Sequence, residues 1–290
     1  MPVRRPHSTS GGREGRTRWL RVLKYTLLTL MGLLFFVIPL WLALVTSAKP
    51  LGEAIDLSLG LPQDWAAADN YGRVFVDGRI ARSFGHSLVV TSVSCVGLLL
   101  LGSMAAWAFA RTGSRLLRVV YYAVIVGVLV PPALVPSLVL MRILGIEGTH
   151  AALILFTVST KLPLVIFLMT GFVRAMPREY EDAAAVDGAS TFQTYVRVVV
   201  PLMRPILLTV LVILVIIIWN EAFSPFFLLH GQERATLPLS LLGLTEGSRL
   251  QIAWNLLFAH LVLVSLPLIV VYLIVQRHIV GGLSEGAIRG

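Results

Sequence analysis

The chain has 290 residues, of which 57% are hydrophobic and only 13% charged, with a formal net charge of +9. Soluble domains are about a quarter charged, so an ordinary water-soluble globular protein is excluded. The single cysteine, Cys95, excludes an internal disulfide.

Residues 1–24 are basic and rich in Ser and Gly, a composition that favours a disordered tail. Six largely uncharged apolar runs follow, at 25–48, 87–110, 119–141, 151–173, 206–229 and 252–275. Each is near the ~20 residues that an α-helix needs to cross a bilayer. The first run is longer than a secretory signal core and shows no clear small-residue cleavage site near Ser47, so it is read as a retained helix. Residues 25–275 are therefore expected to form an all-α, six-helix transmembrane domain, with 276–290 a short C-terminal tail.

The outer loop from Lys49 to His86 reads as a solvated connector on the membrane surface. Cys95 lies inside the second run, where a lone cysteine is a small packing residue. "RTGSRLLR" (111–118) is a tight basic turn. Pro131, Pro132 and Pro136 remove helix hydrogen bonds and must distort the third run. In the third outer loop, "HGQERATLPLSLLGLTEGSRLQ", the Leu-rich part is expected to pack back on the protein.

Cytoplasmic loops collect Lys and Arg. With the N-terminus inside, the cytoplasmic segments hold 16 of the 24 basic residues. Both termini and the segment 174–205 then face the cytoplasm. The positive charge is a topology signal, and membrane lipid rather than nucleic acid is the implied surroundings.

Ionisable groups at membrane depth are costly and mark candidate functional positions. Lys161, Glu221 and His260 are of this kind. Lys161 precedes Leu162-Pro163, where a bend frees a carbonyl, and Glu221 follows Trp219-Asn220. One buried hydrogen bond would account for each equally well. Asn220 and Glu221 are candidates for lining a solute path, and an ion-coupled secondary transporter using Lys161 and Glu221 is an open alternative. No HExxH, GxSxG, CxxC or paired metal-ligand spacing occurs, so no catalytic or metal-binding residue is assigned. None of the three lysines follows a GxxxxGK[ST] run. Any nucleotide-driven step would belong to another chain.

One polar stretch, "EYEDAAAVDGASTFQTYVRVVVPLMRP" (179–205), interrupts this apolar pattern. Pro177 suits a first helical position, and Glu179, Glu181 and Asp182 fall near the positive end of the helix that follows. Ala183, Ala184 and Ala185 continue it with little bulk. Asp187-Gly188 stops it, with Gly at the position that tolerates positive φ. Ser190 and Gln193 form a capping box for a second helix, expected to end at Pro201, with Pro205 opening the fifth span. A short acidic helix with an alanine face fits a basic groove of a partner. A well-capped connector fits the same signals.

"EDAAAVDGAS" with "VVVPLMRP" resembles the EAA motif of permease subunits in binding-protein-dependent ABC importers. "AWAFAR" ending the second span, "WNEAF" in the fifth, "TLPLSL" in the third outer loop and the C-terminal "QRHIVGGLSEGAIRG" are similar to the sugar-importer branch, the maltose and multiple-sugar type, and to its smaller permease. The resemblance runs from "SAKP" onward. Two positions depart from the pattern: the motif's usual Glu is Asp182, with Glu181 beside it, and an Asn often found before the Ser of span two is His86.

The resemblance implies an ABC importer type I permease fold in a bacterial cytoplasmic (inner) membrane. It implies a second, related permease, two ATPase subunits that bind ATP and Mg²⁺, and an extracytoplasmic sugar-binding protein, with no cofactor and no enzymatic activity in this chain. The EAA helix becomes the coupling helix. Its expected ATPase-coupling residues are Glu181, Asp182, Ala183, Ala184, Asp187, Gly188 and Pro201, with Glu181 and Asp182 pairing with a basic residue of the ATPase cleft.

Overall fold

The computed structural model describes residues 11–245 and 252–287. These are built from helices, with no β-strand and only an isolated bridge between Gly148 and Leu229 among the described residues. In chain order the helices are α1 (Gly11–Gly32), α2 (Ile38–Ser47), α3 (Leu51–Ala54), α4 (Ala67–Asp77), α5 (Ile80–Arg111), α6 (Arg115–Leu129) and α7 (Leu134–Ile143). Next come α8 (His150–Ala175), α9 (Glu179–Val186), α10 (Thr191–Thr194), α11 (Val200–Leu202), α12 (Arg204–Trp219), α13 (Phe223–Leu228), α14 (Leu241–Thr245) and α15 (Trp254–Ala287).

Four helices are long and apolar enough to cross a membrane among the described residues: Arg21–Ser47, Ile80–Arg111, His150–Ala175 and Trp254–Ile274. The helical run Thr191–Leu202 meets Arg204–Trp219 at 72°, and the expected fifth run is divided between α12 and α13. The third expected span is divided between α6 and α7. Val130 is extended, with ψ of 125°, as the residue before a proline must be. Neither Pro131 nor Pro132 can donate a helix hydrogen bond, whereas Pro136 sits in the first turn of α7, where no donor is missed. Helix also reaches further at both ends than expected. α1 begins within the presumed disordered tail, and α15 continues through most of the presumed tail 276–290.

Two compact units lie within Met1–Tyr71 with Ile252–Val262, and within Gly72–Gln251 with Leu263–Gly290. The first is held by a buried polar knot. Lys49 donates its Nζ to Ser58 O at 2.7 Å and Ser58 Oγ at 2.8 Å. Asn70 Nδ2 donates to Ser47 O (2.9 Å) and Lys49 O (2.8 Å), and Asn70 Oδ1 accepts from Asn255 Nδ2 (2.7 Å). Buried polar groups persist only when so paired. The start of the first outer loop is thus pinned at Lys49 and Asn70, while residues 55–61 are exposed, as a solvated connector would be.

The second unit is organised by α5 lying along α8. Val90, Cys95, Leu98 and Ala106 of α5 and Leu153, Val165 and Met169 of α8 belong to one buried core. A β-carbon at Gly102 would overlap Val165, so a residue without a side chain is what permits the two backbones to approach. Cys95 is a buried packing residue, as expected. The Leu-rich loop does pack back: Leu237 and Leu239 are buried, and Leu237 N–H donates to Ser87 Oγ at 2.7 Å. Residues 246–251 of that loop lie outside the described residues.

Candidate coupling segment and cavity

The polar stretch folds from local signals. α9 carries Glu179, Glu181 and Asp182 in its first turn, where the helix dipole favours acids. It starts just after Pro177, which precedes the helix instead of opening it. At the other end Gly188 takes φ +79°. Gly188 N–H donates to Ala185 O (3.1 Å) and Ala189 N–H to Ala184 O (3.0 Å). These are the two bonds of a Schellman stop. Nothing lies within 4 Å of where a β-carbon would sit at Gly188, so the demand for glycine there is one of backbone conformation alone. The capping box forms as expected: Gln193 N–H donates to Ser190 Oγ (3.3 Å), and Ser190 N–H to Gln193 Oε1 (2.9 Å). α10 continues through a π-helical turn, Tyr195–Val199, into α11. The helical run passes Pro201 and ends at Leu202, one residue beyond the expected stop, with the proline immediately after the π-helical turn.

How α9 is held could not be read from its own residues. Glu181 Oε1 accepts from Arg111 Nη2 at 2.7 Å and from Arg111 Nε at 2.8 Å, while Oε2 accepts from Trp107 Nε1 at 2.9 Å. Both charged side chains are only 14% exposed. Arg111 Nη2 also donates to Met176 O (3.1 Å), between α8 and α9. One turn back along α5, the Trp107 ring lies 5.5 Å from that of Tyr195, whose hydroxyl meets Ser103 Oγ at 2.7 Å. Ser103, Trp107 and Arg111 recur every four residues and so share one face of α5. They form a ladder that fastens the segment to a span. The expectation that Glu181 reaches outward is corrected: its carboxylate is turned inward to Arg111 and Trp107.

The opposite side of the segment is bare. α9 buries none of its residues. Asp182, Ala183 and Asp187 are exposed, as are the apolar side chains of Tyr180 (54%), Val186 (88%) and Phe192 (70%). Nothing in the sequence marks those three apolar residues, because an exposed apolar side chain is recognised only once its surroundings are known.

The second candidate region is a cavity of about 260 Å³. Its walls include Pro131 and Pro132 from the break between α6 and α7, Thr157, Thr160 and Lys161 from α8, and Glu221 from the break between α12 and α13. Non-helical backbone at membrane depth is tolerated where it is enclosed in protein or lines a cavity, and both breaks do so here. Glu221 Oε1 accepts from Phe223 N–H (3.0 Å) and Ser224 N–H (3.1 Å), capping α13 as it restarts. Lys161 shares the cavity, but the two form no ion pair. Asn220, the other path candidate, is not in this wall: it closes α12, exposed, with its own Nδ2 donating to Ile216 O at 2.8 Å. The departing residue His86 faces His150, ring centroids 4.4 Å apart, with Nδ1 3.3 Å from Ala235 O. His260 is fully buried. No cluster of metal-ligating side chains occurs among the described residues.

Apolar helices broken at a cavity that holds Lys161 and Glu221 among mostly apolar walls, with an exposed segment fastened to one long helix, fit a polytopic membrane permease. The sequence matches the family described as "Binding-protein-dependent transport system inner membrane component" over residues 99–285, and the chain belongs to that family. It is 30% identical over 281 residues to the melibiose/raffinose/stachyose import permease protein MelC of Bacillus subtilis (strain 168), covering 96% of this chain and 100% of that one. It is 29% identical over 274 residues to the diacetylchitobiose uptake system permease protein NgcG of Streptomyces coelicolor (strain ATCC BAA-471 / A3(2) / M145), covering 94% and 90%. In three dimensions it is similar to a chain in the crystal structure of a bacterial ABC transporter involved in the import of the acidic polysaccharide alginate. The TM-score is 0.80 with 22% identity, over 94% of this chain and 99% of that one. That likeness shows the fold, an all-α ABC importer permease.

Proposed function

We propose that this chain is one of two permease subunits of an ABC importer that carries a sugar or short oligosaccharide into the cytoplasm by alternating access. Two separate ATPase subunits bind ATP and Mg²⁺ and hydrolyse the nucleotide, and an extracytoplasmic binding protein delivers the sugar. The printed names of the relatives, uptake permeases for raffinose-type sugars and diacetylchitobiose, support the substrate class. The basic segments support cytoplasmic termini.

The observation that carries the coupling role is the Ser103–Trp107–Arg111 ladder. A motor that grips the bare face of α9 pulls, through Glu181, on a helix long enough to span the bilayer. Asp182, Ala183, Ala184 and Asp187 belong to the gripped helix and its cap, Gly188 ends it, and Pro201 lies in the helical run that leads on to α12. Glu221, with Lys161, Thr157 and Thr160, lines the solute path.

A second reading, ion coupling through Lys161 and Glu221, is favoured by their shared cavity. Uptake into proteoliposomes separates the two. Importer function requires the ATPases, ATP on their side and binding protein on the other. Uptake by this chain alone, driven by an ion gradient, would overturn it.

A further inference from the structure

We propose that a pocket beside the coupling segment binds a phosphate group, carried by an anionic phospholipid or free as inorganic phosphate. The pocket, about 490 Å³, lies where α5 turns into α6 beside the end of α8, and its walls include Arg111, Thr112, Arg118, Tyr122, Arg174 and Arg178. Arg111 is committed to Glu181. Arg118, Arg174 and Arg178 form no ion pair among the described residues, and no carboxylate contributes to the wall. Gathered cations repel one another, and an anion among them relieves that repulsion.

The geometry points to phosphate in particular. A guanidinium presents a planar fork of donors that matches phosphate oxygens two at a time, and Thr112 and Tyr122 add hydroxyl donors. Arg174 is already oriented, its guanidinium carbon 4.7 Å from the centroid of the buried Tyr121 ring. The pocket stands at the ends of two apolar helices long enough to cross a bilayer, and basic pockets between the ends of spans take up lipid headgroups. An anion here would also neighbour Arg111, and so the ladder that holds α9. The proposal does not depend on the direction or substrate of transport.

The test uses the assembled full-length transporter in detergent, exposed separately to phosphatidylglycerol, to phosphatidylcholine and to inorganic phosphate. Adducts are counted by native mass spectrometry and thermal stability is followed in parallel. The expected result is retention of phosphatidylglycerol but not phosphatidylcholine, with a raised melting temperature. Arg118→Gln with Arg174→Gln and Arg178→Gln should abolish the difference, and Lys at the same three positions should restore part of it. A response to inorganic phosphate alone, lost in the Gln variant, supports the same site with a soluble ligand. If the triple Gln variant does not assemble, Arg178→Gln, on an exposed side chain, replaces it, with a several-fold loss of adduct expected. Equal retention of the two lipids without a phosphate response, or unchanged binding by the Gln variant, overturns the proposal.

Discussion

Truncating Glu181 would leave the Arg111 guanidinium with only the Met176 carbonyl and deprive Trp107 Nε1 of its acceptor. Hydrogen bonds to charged groups contribute about 1.5–3 kcal/mol, so Glu181→Ala should lower the stability of the permease by that order. It should also weaken ATP-driven uptake more than ATPase binding, since the docking face survives while its tether is cut. Asp182→Ala, on an exposed side chain, should change stability by about 0.5 kcal/mol or less and reduce ATPase co-purification instead. Melting curves beside pull-downs check both, and the reverse pattern would exchange the two roles. Gly188→Val should force a β-branched residue to positive φ at a cost of roughly 1–2 kcal/mol. Membrane insertion should persist while stimulated hydrolysis falls, and Gly188→Asn should retain most of it, because Asn tolerates that conformation. Gly188, Ser190 and Gln193 were legible in the sequence because each answers a need within a few residues of itself. Trp107 and Arg111 were not, since they meet Glu181 across separations of 74 and 70 residues. "AWAFAR" is marked in the sequence only by the resemblance, and its contacts to Glu181 exist only where α9 lies against α5.

The two helix breaks have different origins, and so differed in legibility. The break between α6 and α7 is written as Pro131-Pro132. "IIIWNEAF" contains neither Pro nor Gly and reads as continuous span, yet α12 ends at Trp219. Asn220 and Glu221 supply what such a break needs: one bonds back to Ile216 O, and the other caps the N–H groups of α13. Glu221→Gln keeps a side-chain oxygen that can accept both bonds, so the protein should assemble normally while uptake changes through loss of charge in the cavity. Glu221→Leu removes the cap, worth about 1 kcal/mol, and leaves two donors without that acceptor, so membrane yield should fall as well. Wild-type uptake by the Gln variant would reduce Glu221 to a structural cap.

At the scale of the whole molecule, composition alone placed the chain in the membrane and patterning located its long helices. The count of uninterrupted spans was beyond it, because hydropathy does not register the break after Trp219 or a two-proline gap. Tyr180, Val186 and Phe192 leave large apolar side chains exposed along the segment, and such groups are what a partner surface would cover. The central claim is that this partner is the ATPase, and thiol labelling at Val186 tests it most directly. Cys95 is the chain's one cysteine and is buried, so Val186→Cys introduces a single accessible thiol. In inside-out vesicles a membrane-impermeant maleimide should modify it rapidly in the permease pair alone and slowly once the ATPase subunits are bound. Labelling that is equally fast with and without the ATPases, in complexes shown to be assembled, would contradict the account.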